Sequence, residues 1–119
     1  MTATRLNPLS VYADEPYKSK SVPSATWTNL NSVELSAGKW LVIASAEYDT
    51  NATGNRRCRI QTTGQAMTCC MAAASGSATV VPFYHIMDLS ATQTVYVTGY
   101  QNSGSSITGY GRITAVRLA

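Results

Sequence analysis

Few side chains in this 119-residue chain have the chemistry for catalysis. His85 is the single group whose ordinary pKa lies near neutrality, with Asp88 three residues on. In an extended strand those two positions point to opposite faces, so they do not pair unless the chain bends. The cysteines are Cys58, Cys69 and Cys70, an odd number with two adjacent, which argues against a disulfide framework. Zinc needs about four ligands at close spacing, and the only histidine is remote in sequence from Cys70. The thiols are therefore expected to be buried as small apolar groups. No nucleophile–base–acid constellation, glycine-rich phosphate loop or paired-carboxylate signature is present. The expectation is a protein that is not an enzyme, with no catalytic residues, no cofactor and no metal.

Residues suited to binding are easier to find. Arg57, Arg59 and Gln61 alternate with Cys58 and Ile60, and Tyr96, Thr98 and Tyr100 alternate with Val95 and Val97. If these strands share a sheet, rings, guanidinium groups and an amide stand together on its wet face. Rings stack on the apolar faces of sugars and fixed donors bind hydroxyls, so the set forms a carbohydrate platform. The plainer explanation is cross-strand pairing, at about 0.2–1 kcal/mol per pair. A rival site is the loop pair at 49–55 and 101–106, which carries Asp49, Asn51 and Asn102. Asn51-Ala52-Thr53 matches the glycosylation sequon, a pattern with weight only in a secreted chain.

The elements that must position these groups are strands. Charged residues make up 13% of the chain, about half the usual share. Serine, threonine, glycine and small amides replace them, which suits short strands better than long amphipathic helices. The net charge of +3 is spread without a block of one sign, which speaks against nucleic acid as a partner. No apolar run of 18 residues and no leader-like N-terminus occurs, so neither membrane insertion nor secretion is expected. Residues 1–25 hold three of the four prolines and read as an extended arm, with Leu9, Val11 and Tyr12 as a short edge strand. Residues 26–119 read as one head domain. Strands are expected at 25–30 around Trp27, at 33–35, 39–48, 56–63, 66–74, 79–89, 93–101 and 107–118. About eight strands at this spacing indicate an all-β fold, an antiparallel sandwich or jelly roll. Pro82 predicts a bulge in 79–89 or an irregular entry to it, and Gly109 and Gly111 predict a close approach of another backbone.

Two kinds of strand occur. Residues 39–48 place Trp40, Val42, Ala44 and Ala46 on one face and Leu41 and Ile43 on the other. Residues 79–89 are likewise apolar on both faces, with Tyr84 opposite Phe83. A strand apolar on both sides needs two covers. One is the domain's own core. The other is expected to be copies of the same chain in a homo-oligomer, through Trp40, Leu41, Val42, Ile43, Tyr84 and Tyr110.

Residues 31–45 (NSVELSAGKWLVIAS) and 49–57 (DTNATGNRR) resemble the compact C-terminal head domains of bacteriophage tail fibres and related virion proteins. So do residues 100–108 (YQNSGSSIT) and 113–118 (ITAVRL). Such heads are similar to the trimeric jelly roll of the tumour-necrosis-factor and complement C1q superfamily. The resemblance implies that 39–48, 79–89 and 107–118 face a trimer axis. It also implies a virion-surface protein that recognises a host-cell glycan. The alternative is a capsid-decoration, head-fibre or cementing protein docked on other virion proteins through residues 1–25.

Overall fold

The computed structural model describes residues 12–63, 65–66, 70–74 and 77–119. The strands are β1 (Tyr12–Val22), β2 (Thr28–Leu35), β3 (Gly38–Tyr48), β4 (Asn55–Thr62), β5 (Gln65–Ala66), β6 (Cys70–Ala73), β7 (Thr79–Leu89), β8 (Gln93–Gln101) and β9 (Ile107–Arg117), and burial alternates along β3, β4 and β9. No helix occurs among the described residues. Sheet A has the order β1-β9-β3-β7. Sheet B has the order β2-β8-β4, with β5 and β6 both pairing with β4. Every pairing is antiparallel. Late strands slot between early ones in both sheets, which is the winding of a jelly roll. The all-β sandwich expected from strand spacing is the fold observed.

The core lies between the sheets. Trp40, Val42, Ala44, Ala46 and Tyr48 of β3 meet Cys58 and Ile60 of β4 and Val95 and Val97 of β8. The indole N–H of Trp40 donates to the Ser36 carbonyl at 2.9 Å and closes the β2–β3 turn. Leu30 bridges the sheets over Gly111, where an added Cβ would stand 2.5 Å from the Leu30 Cβ. The close approach expected at Gly111 is thus made by a side chain of the opposite sheet.

The N-terminal stretch departs from expectation. Residues 12–22 form a strand on β9, and Val22 is fully buried in the core. They are part of the sandwich, because β9 would otherwise be an open edge. Leu9 and Val11 lie outside the described residues. Pro16 falls where the register shifts between Glu15 and Lys18, as a residue without an N–H does on an edge strand. Pro82 makes no bulge, and its pairing with Ser45 is in unbroken register. It is tolerated because β7 is the outer strand of sheet A. The strands expected at 25–30 and 33–35 are one strand, β2, with a register shift between Asn29 and Asn31. Trp27 precedes it.

Candidate functional site

Strands β4 and β8 are neighbours in sheet B, pairing Arg57 with Tyr100, Arg59 with Thr98 and Gln61 with Tyr96. The two strands expected to share a sheet do so. Cys58 and Ile60 point into the core while Arg57, Arg59 and Gln61 stand half-buried on the outward face. What sequence reasoning missed is Trp27. Ala25 adopts a left-handed conformation, φ 59°, and its N–H donates to the Gln101 carbonyl at 2.7 Å. That turn carries the chain from sheet A to sheet B and lays Trp27 against Tyr100, with ring centroids 5.2 Å apart. The Arg59 guanidinium sits 3.8 Å from the Trp27 ring centroid, and Arg57 sits 5.0 Å from that of Tyr100.

The result is a cluster in the order Arg57, Tyr100, Trp27, Arg59. The Nε atoms of both arginines are buried and make no hydrogen bond among the described residues. Arg59 Nη2 donates to Gln61 Oε1 at 3.2 Å, and neither arginine has an ion pair among the described residues. Thr98 lies beneath this cover, 1% exposed, and its hydroxyl donates to the Arg59 carbonyl at 3.3 Å.

Support comes from Tyr48, which reaches across from β3. Its hydroxyl donates to the Arg57 carbonyl at 2.6 Å and accepts from the Tyr100 N–H at 2.9 Å. It is inserted between two residues that pair across β4 and β8. Gly99 is required there, since any Cβ would collide with the Tyr48 hydroxyl. Burial pushes the Tyr48 pKa far above its usual value, only partly opposed by the Tyr100 N–H. The hydroxyl therefore keeps its proton and its two bonds. No single residue type signals this bridge. Only the glycine opposite the end of an apolar strand hints at it.

The loop residues have structural occupations. Arg56 is fully buried, and its Nη1 and Nη2 donate to the carbonyls of Thr53 (2.9 Å), Asn55 (3.1 Å) and Asn51 (2.7 Å). Burial lowers its pKa, with Tyr48 opposing. Asn51 Oδ1 accepts from the Thr53 N–H at 2.9 Å, and Asn102 Oδ1 accepts from the Asn55 N–H at 2.7 Å. Gly54 has φ 80° and lies against Asn102, so the two loops are stitched together. Asp49, the first residue of the 49–55 loop, is engaged with β9, its N–H donating to the Thr108 carbonyl at 3.1 Å. It bonds the Tyr110 hydroxyl, and this bond, with burial and the charges of Asp49 and Glu47, raises the Tyr110 pKa. Of the residues expected to bind, the structure brings together Arg57, Arg59, Gln61, Tyr96 and Tyr100, and sets Asp49, Asn51 and Asn102 apart from them.

The other outward face, that of sheet A, carries large apolar side chains on β3 and β7 among polar ones such as Lys39, Glu47 and Asp88. Leu41 pairs with Ile86 and Val116, Ile43 with Tyr84, and Glu47 with Val80. Ile43 is 47% exposed, Tyr84 72%, and Val80 and Ile86 52% each. Of the six residues expected between copies, Trp40 and Val42 are instead packed inside the protomer, 1% and 0% exposed, because the inward parity of β3 is theirs. Leu41, Ile43, Tyr84 and Tyr110 lie on the outward face. His85 and Asp88 fall on opposite faces of β7, as expected. Cys58 is buried across from Cys70, and Cys69 lies outside the described residues.

No family model matches the chain, and no curated protein does. Solved structures do. A chain of the infectious bursal disease virus Gt strain is 12% identical with a TM-score of 0.58, and the match covers 98% of this chain and 38% of that one. The Gx strain of that virus gives 13% identity, TM-score 0.52, and 98% and 36% coverage. A protein of Bacillus endospore appendages, described as a family of disulfide-linked pili, gives 14% identity and TM-score 0.50, covering 99% of this chain and 100% of that one. The chain thus spans little more than a third of the viral chains and the full length of the pilus protein. At these identities the likeness is one of fold.

Proposed function

We propose that the protein is a non-enzymatic structural subunit displayed on a particle surface, a virion protein that assembles with its own copies, as a trimer, through the outward face of sheet A. One observation carries this reading: Ile43, Tyr84 and Ile86 stand exposed beside the half-buried Leu41 on neighbouring strands, with Val80 exposed further along β7. Monomeric soluble proteins rarely leave such a patch uncovered, and burying it against a copy removes apolar area from water without ordering any loop. The surface setting is supported by the fold shared with chains of infectious bursal disease virus and of endospore appendages. Sedimentation equilibrium tests the reading: the purified chain of 12.7 kDa should run at a multiple of that mass. A folded monomer at tens of micromolar would sink it.

Docking on other virion proteins through the N-terminus is a second reading, favoured by the position of β1. As an edge strand it offers unpaired backbone groups to a partner's strand. Tyr17 falls in the register shift and is out of step with β9, so Tyr17→Pro should blunt the edge and weaken attachment to particles while the domain stays folded. Attachment that survives this change excludes the β1 edge as the dock.

A further inference from the structure

We infer that the outward face of sheet B is a binding site for an acidic saccharide, one bearing a carboxylate or a sulfate, held by Arg57 and Arg59. The argument starts from what a neutral sugar would need, which is an open ring face. Trp27 has Arg59 over it at 3.8 Å, and Tyr100 has Arg57 over it at 5.0 Å. The stacked guanidiniums occupy ring faces that a pyranose would use. What the cluster presents to a ligand is therefore guanidinium edge rather than ring.

Those edges are ready for an anion. Stacking fixes the plane of each guanidinium, so little side-chain freedom is lost when a ligand binds. The Nε atoms are buried, which leaves the Nη donors, apart from the Arg59 Nη2 bond to Gln61, as the groups available to oxygen acceptors. A planar fork matches the two oxygens of a carboxylate or sulfate. The two arginines are next-but-one neighbours on β4, roughly 7 Å apart along the strand. Two cations held this close, with no ion pair to either among the described residues, repel each other, and an anion between them relieves the repulsion. Gln61 and Tyr96, paired across β4 and β8 one step further along, supply amide and hydroxyl groups for the saccharide's own hydroxyls. These features favour an acidic saccharide over nucleic acid, for which the chain lacks a broad basic surface. The site lies on the sheet opposite the proposed assembly face, so it stands or falls independently of the oligomer.

Trp27 in the site supplies the readout. The intact chain is titrated with trigalacturonate, a sulfated heparin disaccharide, maltotriose and inorganic sulfate while tryptophan fluorescence is followed. The two acidic saccharides should quench with an affinity that falls as salt rises. Arg57→Gln or Arg59→Gln should weaken them about ten-fold, as loss of a charge-assisted bond does. Arg112→Gln removes the same charge from an arginine near Tyr17 on sheet A and should change little. If Arg59→Gln fails to fold, Arg59→Lys, which keeps the charge and loses the fork, should still weaken binding. Equal binding of maltotriose, equal loss in Arg112→Gln, equal affinity for inorganic sulfate alone, tighter binding of a DNA oligonucleotide, or no binding of either acid at millimolar concentration would each overturn the site.

Discussion

The two outward faces of this sandwich answer the same problem differently. Sheet B covers its outer surface from within the chain: Trp27 folds back, and two arginines lie over its ring and that of Tyr100. Sheet A has no such cover, and Ile43, Tyr84 and Ile86 stand in the open. A sheet that covers itself with polar-edged groups is suited to meeting small solutes. A sheet that leaves aliphatic rows bare is suited to meeting another sheet. The proposed assembly face and the proposed recognition face thus lie on opposite sides of one shared core.

Val42→Asp and Ile43→Asp should break the comparison most visibly, since adjacent residues of β3 belong to its two sides. Val42 is fully buried, and a carboxylate there should cost several kcal/mol and unfold the domain, seen as loss of a cooperative melt. Ile43→Asp should melt nearly as the parent does and sediment as a monomer. If both variants stay folded, the inward parity assigned to β3 is wrong.

Tyr48→Phe tests how firmly the recognition face is tied to the core. It leaves the Arg57 carbonyl and Tyr100 N–H without their shared partner, a loss of about 1–3 kcal/mol by chemical denaturation. The same change alters the alkaline limb. A tyrosine whose folded pKa lies above the unfolded value of about 10 contributes stability that is complete below that pH and declines above it. The parent should therefore lose stability above about pH 10 more steeply than Tyr48→Phe.

Trp27→Ala should cost about 1–2 kcal/mol through lost ring burial and cation–π contact, and should leave the sedimentation of the oligomer unchanged. A change in oligomer mass would show that the two faces are coupled. The smallest effect is expected at Ala25, whose φ of 59° strains an alanine. Ala25→Gly should raise stability by less than about 1 kcal/mol, as relief of strain is partly offset by backbone entropy.

Much of the fold was legible because strands write their burial into alternating side chains. The one-sided pattern of Arg57, Arg59 and Gln61 against Cys58 and Ile60 placed β4, and Tyr96 and Tyr100 against Val95 and Val97 placed β8. Their pairing in one sheet was open to inference from the jelly-roll order. The doubly apolar β3 and β7 also announced themselves, yet alternation alone does not say which parity is inside. That needed the opposite sheet, which puts Trp40 and Val42 against Ile60 and Val97.

Residues 12–22, with proline and polar side chains, carried no apolar pattern, because an edge strand is held by backbone bonds to β9 that leave no trace in side-chain type. By itself, then, the sequence determined an all-β sandwich, one wet sheet and one sheet apolar on both faces. Only the tertiary structure decided that Trp27 lies over sheet B and that Tyr48 joins its strands. It alone also set the loop asparagines to structural work, because each of these contacts joins residues whose chemistry is ordinary until folding places them together.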